Sequence, residues 1–184
     1  AREGQHVAEE ERAPVELNEI APACWQNVDT EGASIEVIAE QTILADEHRL
    51  QHVLENLFRN AVEHSSTSPH SQTREDAVEH STTSPHSQTR EDAVEHGSTT
   101  DDGDVTVTLG DLDDGFYVAD DGPGIPEDVR DDVFTFGFTT GADGSGFGLT
   151  IVKEIVEAHE WDIAVTDSES GGARFEITGV DVVE

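Results

Sequence analysis

A tandem repeat of 16 residues divides this chain and constrains its fold more than any other feature. Residues 61–76 read AVEHSSTSPHSQTRED, residues 77–92 read AVEHSTTSPHSQTRED, and residues 93–100 begin a third copy as AVEHGSTT. Each copy offers only one Ala and one Val to a core, whereas stacked repeats need apolar positions that pack on their neighbours. We therefore expect residues 65–104 to form a low-complexity, mostly disordered insertion, and the fold to be assembled from the flanking segments.

The chain carries an extreme negative charge. It has 42 acidic and 9 basic residues, which give a formal net charge of -33. Such a chain repels nucleic acid and anionic membrane surfaces, so neither is expected as a partner. The charge indicates either a disordered chain or a folded protein that needs strong salt to screen its own repulsion. Periodic apolar segments between the acidic residues favour the folded, halophilic alternative.

Apolar periodicity predicts one domain over residues 14–184, after an upstream helix end or linker at residues 1–13. The expected elements are helices at residues 15–28 and 149–158 and after Asp46, and strands at residues 35–39, 42–45, 105–109, 116–118, 162–166 and 173–180. The Asp46 carboxylate is suited to cap the long helix that follows it. Helices on one face of a mixed, mostly antiparallel sheet give a two-layer α/β sandwich.

Two asparagines on the long helix are candidate ligands. Asn56 and Asn60 lie four residues apart, so both amides project from the same side of a helix. An amide oxygen is a neutral, hard ligand for a magnesium ion that keeps most of its waters and binds phosphates. Taken alone, the pair fits a solvated helix face better than a metal site.

Two glycine-rich segments could approach a nucleotide closely. Asp120 ends a predicted strand and is followed by Gly122 and Gly124, so the backbone could approach a flat ligand while the carboxylate accepts a hydrogen bond from an amine. Residues 144–148, GSGFG, run directly into a predicted helix, where backbone N–H groups and the helix N-terminus can hold phosphates. Each pattern alone is also consistent with an ordinary turn or a flexible loop.

The order of these patterns resembles one family. NLFRNAVEH resembles the N box, DDGPGI the G1 box, VFTFGF the F box and GSGFGL the G2 box of sensor histidine kinases, within a superfamily that includes gyrase and mismatch-repair ATPases. The resemblance covers nearly all of the chain outside the repeat and the first dozen residues. It implies the Bergerat ATP-binding fold, which agrees with the elements predicted from periodicity.

The resemblance also implies a role for individual residues. Asn60 would bind a magnesium ion, Asn56 would assist it or contact phosphate, and Asp120 would bind the adenine amine. Both asparagines are the catalytic candidates, and an ATP lid would span residues 136–146. The implied site for ATP and Mg²⁺ comprises Asn56, Asn60, His64, Asp120, Gly122, Gly124, Ile125, Phe138, Thr139, Thr140, Gly144, Ser145, Gly146, Phe147, Gly148 and Leu149.

Departures from the family pattern bear on activity. In superfamily members that hydrolyse ATP, a glutamate lies one helical turn before the magnesium-binding asparagine. That position is Asn56 here, and Glu55 points about 100° around the helix, so phosphoryl transfer to a protein is favoured over hydrolysis. Related kinases often carry a basic residue at the position of Glu63, and the lid contains no Lys or Arg. These departures keep two alternatives open: a non-enzymatic nucleotide-binding module, and a serine kinase or ATPase of the same superfamily.

The resemblance further implies partners and a location. The phosphorylatable histidine would lie on an absent dimerisation domain, and a response regulator would receive the phosphoryl group. The chain contains no Met and is interpreted as a fragment that binds nucleotide but transfers little by itself. No stretch is apolar enough to cross a bilayer, so we expect a cytoplasmic domain without direct membrane contact, whether or not the parent protein is membrane-anchored.

Overall fold

The structure, a computed structural model, describes residues 7–30, 32–66, 105–135 and 148–184, with the backbone alone at residues 64–66. Its α-helices and strands are, in order, β1 (Ala13–Glu16), α1 (Leu17–Gln26), β2 (Ala33–Val37), β3 (Thr42–Ala45), α2 (Glu47–Ser66), β4 (Val105–Leu112), β5 (Gly115–Asp120), α3 (Gly148–Ala158), β6 (Asp162–Asp167), β7 (Ala173–Thr178) and β8 (Val182–Val183), and two short 3-10 helices lie at Glu9–Glu11 and Glu127–Val129. Most of the insertion predicted at residues 65–104 lies outside the described residues. Within them, no helix combines the length and apolar character needed to span a bilayer.

The strands form two sheets. The larger one has the order β2-β4-β5-β7-β6, in which β2 and β4 run parallel and all other neighbours run antiparallel. A smaller antiparallel sheet places β3 between β1 and β8. The larger sheet therefore confirms the predicted mixed, mostly antiparallel arrangement.

The core lies between the larger sheet and the helices. Leu109, Val118 and Phe175 are register neighbours on β4, β5 and β7, and all three are buried. The buried residues of α2 that belong to the same cluster are Leu50, Val53, Leu54, Leu57, Phe58, Ala61 and Val62. The alternate residues of β7 are polar and less buried, as is Tyr117 of β5; the guanidinium of Arg174 lies 3.8 Å from the centroid of the Tyr117 ring. This alternation confirms the two-layer sandwich, with helices covering one face of the sheet.

Two short strands differ from the sequence-based expectation. Ala13–Glu16 pairs with β3, so α1 begins at Leu17 rather than at residue 15. β7 ends at Thr178 rather than at residue 180, because Gly179 turns the chain with a φ of 74°. The chain then returns along β3 as β8.

Residues 7–12 pack against the end of α3. The Val7 N–H donates a hydrogen bond to Ala158 O at 2.8 Å, and Val7 is buried. The guanidinium of Arg12 donates to His159 O at 3.0 Å and contacts the carboxylate of Asp181 at 3.7 Å. The segment that precedes β1 is thus held on the domain by backbone and side-chain contacts.

Candidate functional site

Strand β5 ends at a buried carboxylate. Asp120 is 7% exposed, and its Oδ1 accepts hydrogen bonds from the N–H groups of Gly122 at 2.9 Å and Ala173 at 3.2 Å. Burial raises the pKa of Asp120, while these two hydrogen bonds act in the opposite direction. Both of these hydrogen bonds fall on Oδ1, so they fix the orientation of the carboxylate and do not engage Oδ2.

Two glycine-containing turns close around Asp120. A Cβ at Gly172 would lie 2.2 Å from Asp120 O and 2.3 Å from its Oδ1, so no larger residue fits there without a shift of the strand end. Gly124 has a φ of 76°, and a Cβ on it would lie 3.2 Å from Gly171 O. The turn between β6 and β7 therefore packs against the loop that follows β5.

The candidate site residues predicted from the sequence did not include residues 170–172, so this contact was missed. The sequence feature that could have indicated this contact is Gly172, the second of two adjacent glycines. Gly171 has a φ of 93°, a backbone conformation that favours glycine, so the geometry of the turn explains why this residue is a glycine. Gly172 is not among the positive-φ residues of the described chain, so the close approach to Asp120 explains it instead. A paired glycine directly before a predicted strand could have been interpreted this way.

The two asparagines lie on α2, which packs against α3. The Nδ2 of Asn56 donates to His52 O at 2.7 Å, and this bond orients the amide. Its Oδ1 then faces the start of α3, where a Cβ at Gly148 would lie 3.2 Å away. Asn60 lies one turn further along α2 and is half-buried. The structure thus brings the asparagine helix and the first residue of α3 into direct contact.

The neighbouring carboxylate on α2 is engaged elsewhere. The Nδ2 of Asn27, at the end of α1, donates to Glu55 Oε1 at 2.7 Å. Glu55 is therefore directed towards α1, as expected for a residue about 100° around the helix from Asn56. Neither Glu55 nor Asn56 therefore provides a general base next to Asn60.

A continuous series of contacts connects α3 with the strand pair that holds Asp120. The hydroxyl of Thr150 donates to Phe134 O at 3.2 Å. The Phe134 ring packs edge-on against Phe175 of β7, with centroids 6.3 Å apart. Phe175 pairs with Val118 of β5, two residues before Asp120. The start of α3 and the carboxylate are therefore parts of one packed region.

The loop after β5 is also tied to the far edge of the sheet. The Nε of Arg130 donates to Ile125 O at 3.0 Å, and its guanidinium pairs with the carboxylate of Asp167 at the end of β6. Sequence reasoning did not identify Arg130. Its contacts hold the backbone next to Gly124 and Ile125 in place.

The predicted site residues fall into two groups. Those described with their side chains are Asn56, Asn60, Asp120, Gly122, Gly124, Ile125, Gly148 and Leu149, of which Ile125 and Leu149 are buried in the core. For His64, only the backbone within α2 is described. The lid residues Phe138, Thr139, Thr140, Gly144, Ser145, Gly146 and Phe147 lie outside the described residues.

The donor set suits an adenine nucleotide with a bound magnesium ion. The orientation of the Asp120 carboxylate is fixed by two hydrogen bonds, and a carboxylate oxygen can accept a hydrogen bond from an exocyclic amine. Oxygen ligands of the amide type, such as Asn56 Oδ1, match the preference of Mg²⁺ for hard donors.

Comparisons with known proteins show the family of this chain. Residues 45–181 match the family described as histidine kinase-, DNA gyrase B-, and HSP90-like ATPase. The sensor histidine kinase ZraS of Klebsiella oxytoca is 31% identical over 171 residues, which cover 88% of this chain and 30% of that protein. The chain therefore spans less than a third of the length of this curated relative.

Solved structures show the same fold. The mycobacterial sensor histidine kinase MprB superposes with a TM-score of 0.63 at 22% identity, over 92% of this chain and 98% of that one. Full-length ShkA in complex with AMPPNP superposes with a TM-score of 0.59 at 26% identity, over 94% of this chain and 32% of that one. The similarity to MprB concerns the fold alone.

Proposed function

The chain belongs to the histidine kinase-, DNA gyrase B-, and HSP90-like ATPase family, as an ATP-binding domain of the sensor histidine kinase type, and we propose that it positions Mg-ATP for phosphoryl transfer to a histidine. The observation that carries this proposal is the buried Asp120 at the end of β5, whose carboxylate is fixed by the N–H groups of Gly122 and Ala173. Its Oδ2 would accept the adenine amine. ShkA, a structural relative, was solved with AMPPNP, which supports a nucleotide as the ligand.

The phosphates would lie between α2 and the start of α3. Asn60 would hold the magnesium ion, and Asn56, whose Oδ1 faces Gly148, would assist it or contact phosphate. The ion would neutralise phosphate charge when bound. The first backbone N–H groups of α3 would contribute further, because they have no partner within the helix. Residues 136–146 are proposed as the ATP lid on the basis of the family resemblance alone.

Transfer to an acceptor is favoured over hydrolysis. Asn56 has no usable basic group, and Glu55 is held by Asn27. In the proposed reaction, a nitrogen of the acceptor imidazole forms a bond to the γ-phosphorus, the bond to the ADP oxygen breaks, and the imidazole proton is released. The acceptor would belong to a dimerisation domain of the full-length protein, and a response regulator would take the phosphoryl group from it. We propose a cytoplasmic location for this domain, whether or not the parent protein is membrane-anchored. This domain contributes positioning and charge stabilisation.

Glu63 favours a second candidate, a nucleotide-binding module without kinase activity. Its exposed carboxylate lies on α2, where the resemblance implies a basic residue. Titration calorimetry with a non-hydrolysable ATP analogue and magnesium in strong potassium chloride tests the shared binding step. We expect wild type to bind, and Asp120→Ala and Asn60→Ala to bind at least about tenfold more weakly. Unchanged binding in both variants would contradict the site.

A second experiment separates a kinase from a passive binder. A matching helical-hairpin domain that carries the acceptor histidine is added with ATP, and acid-labile phosphate is measured. Phosphate on the hairpin that depends on Asn60 supports the kinase. Nucleotide binding without any transfer supports the regulatory module.

We also infer that the domain works in strong salt. A net charge of -33 is carried by a chain whose exposed residues include runs such as Glu9–Glu11. At molar salt the screening length falls to about 3 Å, which removes most repulsion between such carboxylates. Circular dichroism across a potassium chloride series should show folding as salt rises. A fold that persists unchanged in dilute buffer would argue against the inference.

A further inference from the structure

Arg59 differs from the other cations of the described chain. Six Lys or Arg side chains lie within the described residues. Five of them contact a carboxylate at 3.9 Å or less: Arg12, Arg49, Arg130, Lys153 and Arg174. In the same part of the chain, the polar contact of Arg59 is with a neutral amide, from its Nη1 to Asn56 Oδ1 at 3.5 Å. In a protein with 42 acidic residues, a cation without a carboxylate partner is positioned for another anion.

The guanidinium of Arg59 lies beside the phosphate end of the proposed site. The oxygen that it contacts, Asn56 Oδ1, is the same atom that faces the start of α3 at Gly148. Arg59 also directly precedes Asn60 in the sequence. Its side chain is exposed, so binding a ligand there does not require a buried ion pair to break.

Arg59 and Glu63 share one stripe of α2. They are four residues apart, which places their side chains as neighbours at about 6 Å along the helix. No ion pair joins these two residues, although both lie within the described part of α2. Glu63 occupies the position where related kinases often carry a basic residue, and residues 136–146 contain no Lys or Arg. In this chain the positive charge therefore lies at position 59, one helical turn closer to Asn56 than position 63, where related kinases often carry it.

We propose that Arg59 binds the terminal phosphates of ATP and takes over the role of the basic residue missing at position 63, an inference that rests on the proposed function. A guanidinium can donate two parallel hydrogen bonds to phosphate oxygens, and its long side chain spans a turn of helix. Arg59 would thus add a positive charge beside the neutral amide of Asn56.

The test compares ligands that differ only in their phosphates. Calorimetric titrations with adenosine, Mg-ADP and the magnesium complex of the β,γ-imido analogue of ATP are carried out on wild type and Arg59→Gln. We expect about a tenfold or greater loss of affinity for the ATP analogue, a smaller loss for ADP and no change for adenosine. Lys153→Gln is the matched control, because it removes the same charge from an exposed side chain of α3 and should leave all three affinities unchanged.

A relocation variant strengthens the test. In Arg59→Gln combined with Glu63→Lys, the charge returns to the position used by related kinases, and affinity for the ATP analogue should recover. The proposal is overturned if Arg59→Gln binds all three ligands as wild type does, or weakens all three equally. The proposed function can still hold when the Arg59 proposal is overturned: it is supported if wild type binds adenosine and Asp120→Asn does not. If wild type binds none of the ligands, the proposed function fails and the role of Arg59 fails with it.

Discussion

Gly148 lies so close to the amide of Asn56 that a Cβ at position 148 would be 3.2 Å from Asn56 Oδ1. Asn56 belongs to α2, before the insertion, and Gly148 begins α3, after the loop that follows β5. Their contact brings two distant sequence motifs to one point. It also leaves no spare room there, because 3.2 Å is tighter than most contacts made by a Cβ.

We predict that Gly148→Ala weakens nucleotide binding without unfolding the domain. The added methyl group would push the Asn56 oxygen out of position, whereas alanine favours the helix by up to about 1 kcal/mol and offsets the crowding. Affinity for an ATP analogue should fall several-fold, while the free energy of unfolding changes by less than about 1 kcal/mol. Ile151→Ala, which truncates an exposed side chain of α3, serves as the control. Equal affinities for Gly148→Ala and wild type would show that the contact does not position Asn56.

Asp120→Asn should separate stability from binding. Burial raises the pKa of Asp120, so the folded state favours the protonated carboxyl and loses stability as pH rises through that pKa. Asparagine keeps an Oδ1 acceptor for Gly122 and Ala173 and removes the buried charge. At neutral pH, thermal unfolding should therefore occur at the same or a higher temperature than in wild type. Nucleotide affinity should fall about tenfold or more, because an amide N–H₂ would face the adenine amine.

Two results for Asp120→Asn would contradict this prediction. If Asp120→Asn is destabilised at neutral pH but not in acid, the carboxylate contributes to the fold through its charge. If the variant binds the ATP analogue as wild type does, Asp120 does not contact the base.

Local patterns in the sequence predicted part of this structure well. The strand at residues 42–45 is present, and Asp46 caps α2 by accepting the N–H of Arg49 at 3.1 Å. These features depend on neighbouring residues only. By contrast, β1 and β8 form because they pair with β3, which is distant from β8 in the sequence. These strands are only four and two residues long, so they are too short to show an apolar periodicity that would predict them.

In the candidate site too, contacts between residues that are close in sequence could be predicted, whereas contacts between distant residues could not. Asp120, Gly122 and Gly124 follow each other in the sequence and could be selected as a candidate pocket. Gly172 approaches Asp120 only because β5 and β7 are neighbours in the sheet. The ATP assignment itself depended on the resemblance, because each glycine pattern alone also fits an ordinary turn.

The adjacent glycines of the β6–β7 turn provide a matched pair of variants. At Gly171 there is open space but a φ of 93°, so Gly171→Ala should cost about 1–2 kcal/mol of backbone strain. At Gly172 a Cβ would overlap Asp120 O at 2.2 Å, so Gly172→Ala should cost about 3 kcal/mol or more and displace the carboxylate. Denaturant unfolding and ATP-analogue titration measure both effects. We expect binding to be lost at 172 and largely kept at 171; the reverse order would contradict the close approach.

His159 joins α2, α3 and the N-terminal segment in one buried cluster. Its Nε2 accepts the Asp46 N–H at 3.2 Å, so the neutral ring carries its proton on Nδ1, which donates to Ile155 O at 2.9 Å. The ring stacks on Trp161, and its backbone carbonyl accepts from Arg12. Burial lowers the pKa of His159; Arg12 and Arg49 lower it further, whereas the bond to Ile155 and the charge of Asp46 act in the opposite direction.

The domain should therefore lose stability in mild acid through His159. The lowered pKa means that the unfolded chain binds a proton near pH 6.5 while the folded chain does not, so stability falls as pH drops below 6.5 towards the folded pKa. His159→Gln should cost about 1–2 kcal/mol at neutral pH through lost packing and hydrogen bonding, yet show a flatter dependence between about pH 5.5 and 7. Denaturant midpoints measured across that range, with exposed His52→Gln as the control, check this. Parallel pH profiles for wild type and His159→Gln would mean that other groups cause the acid sensitivity.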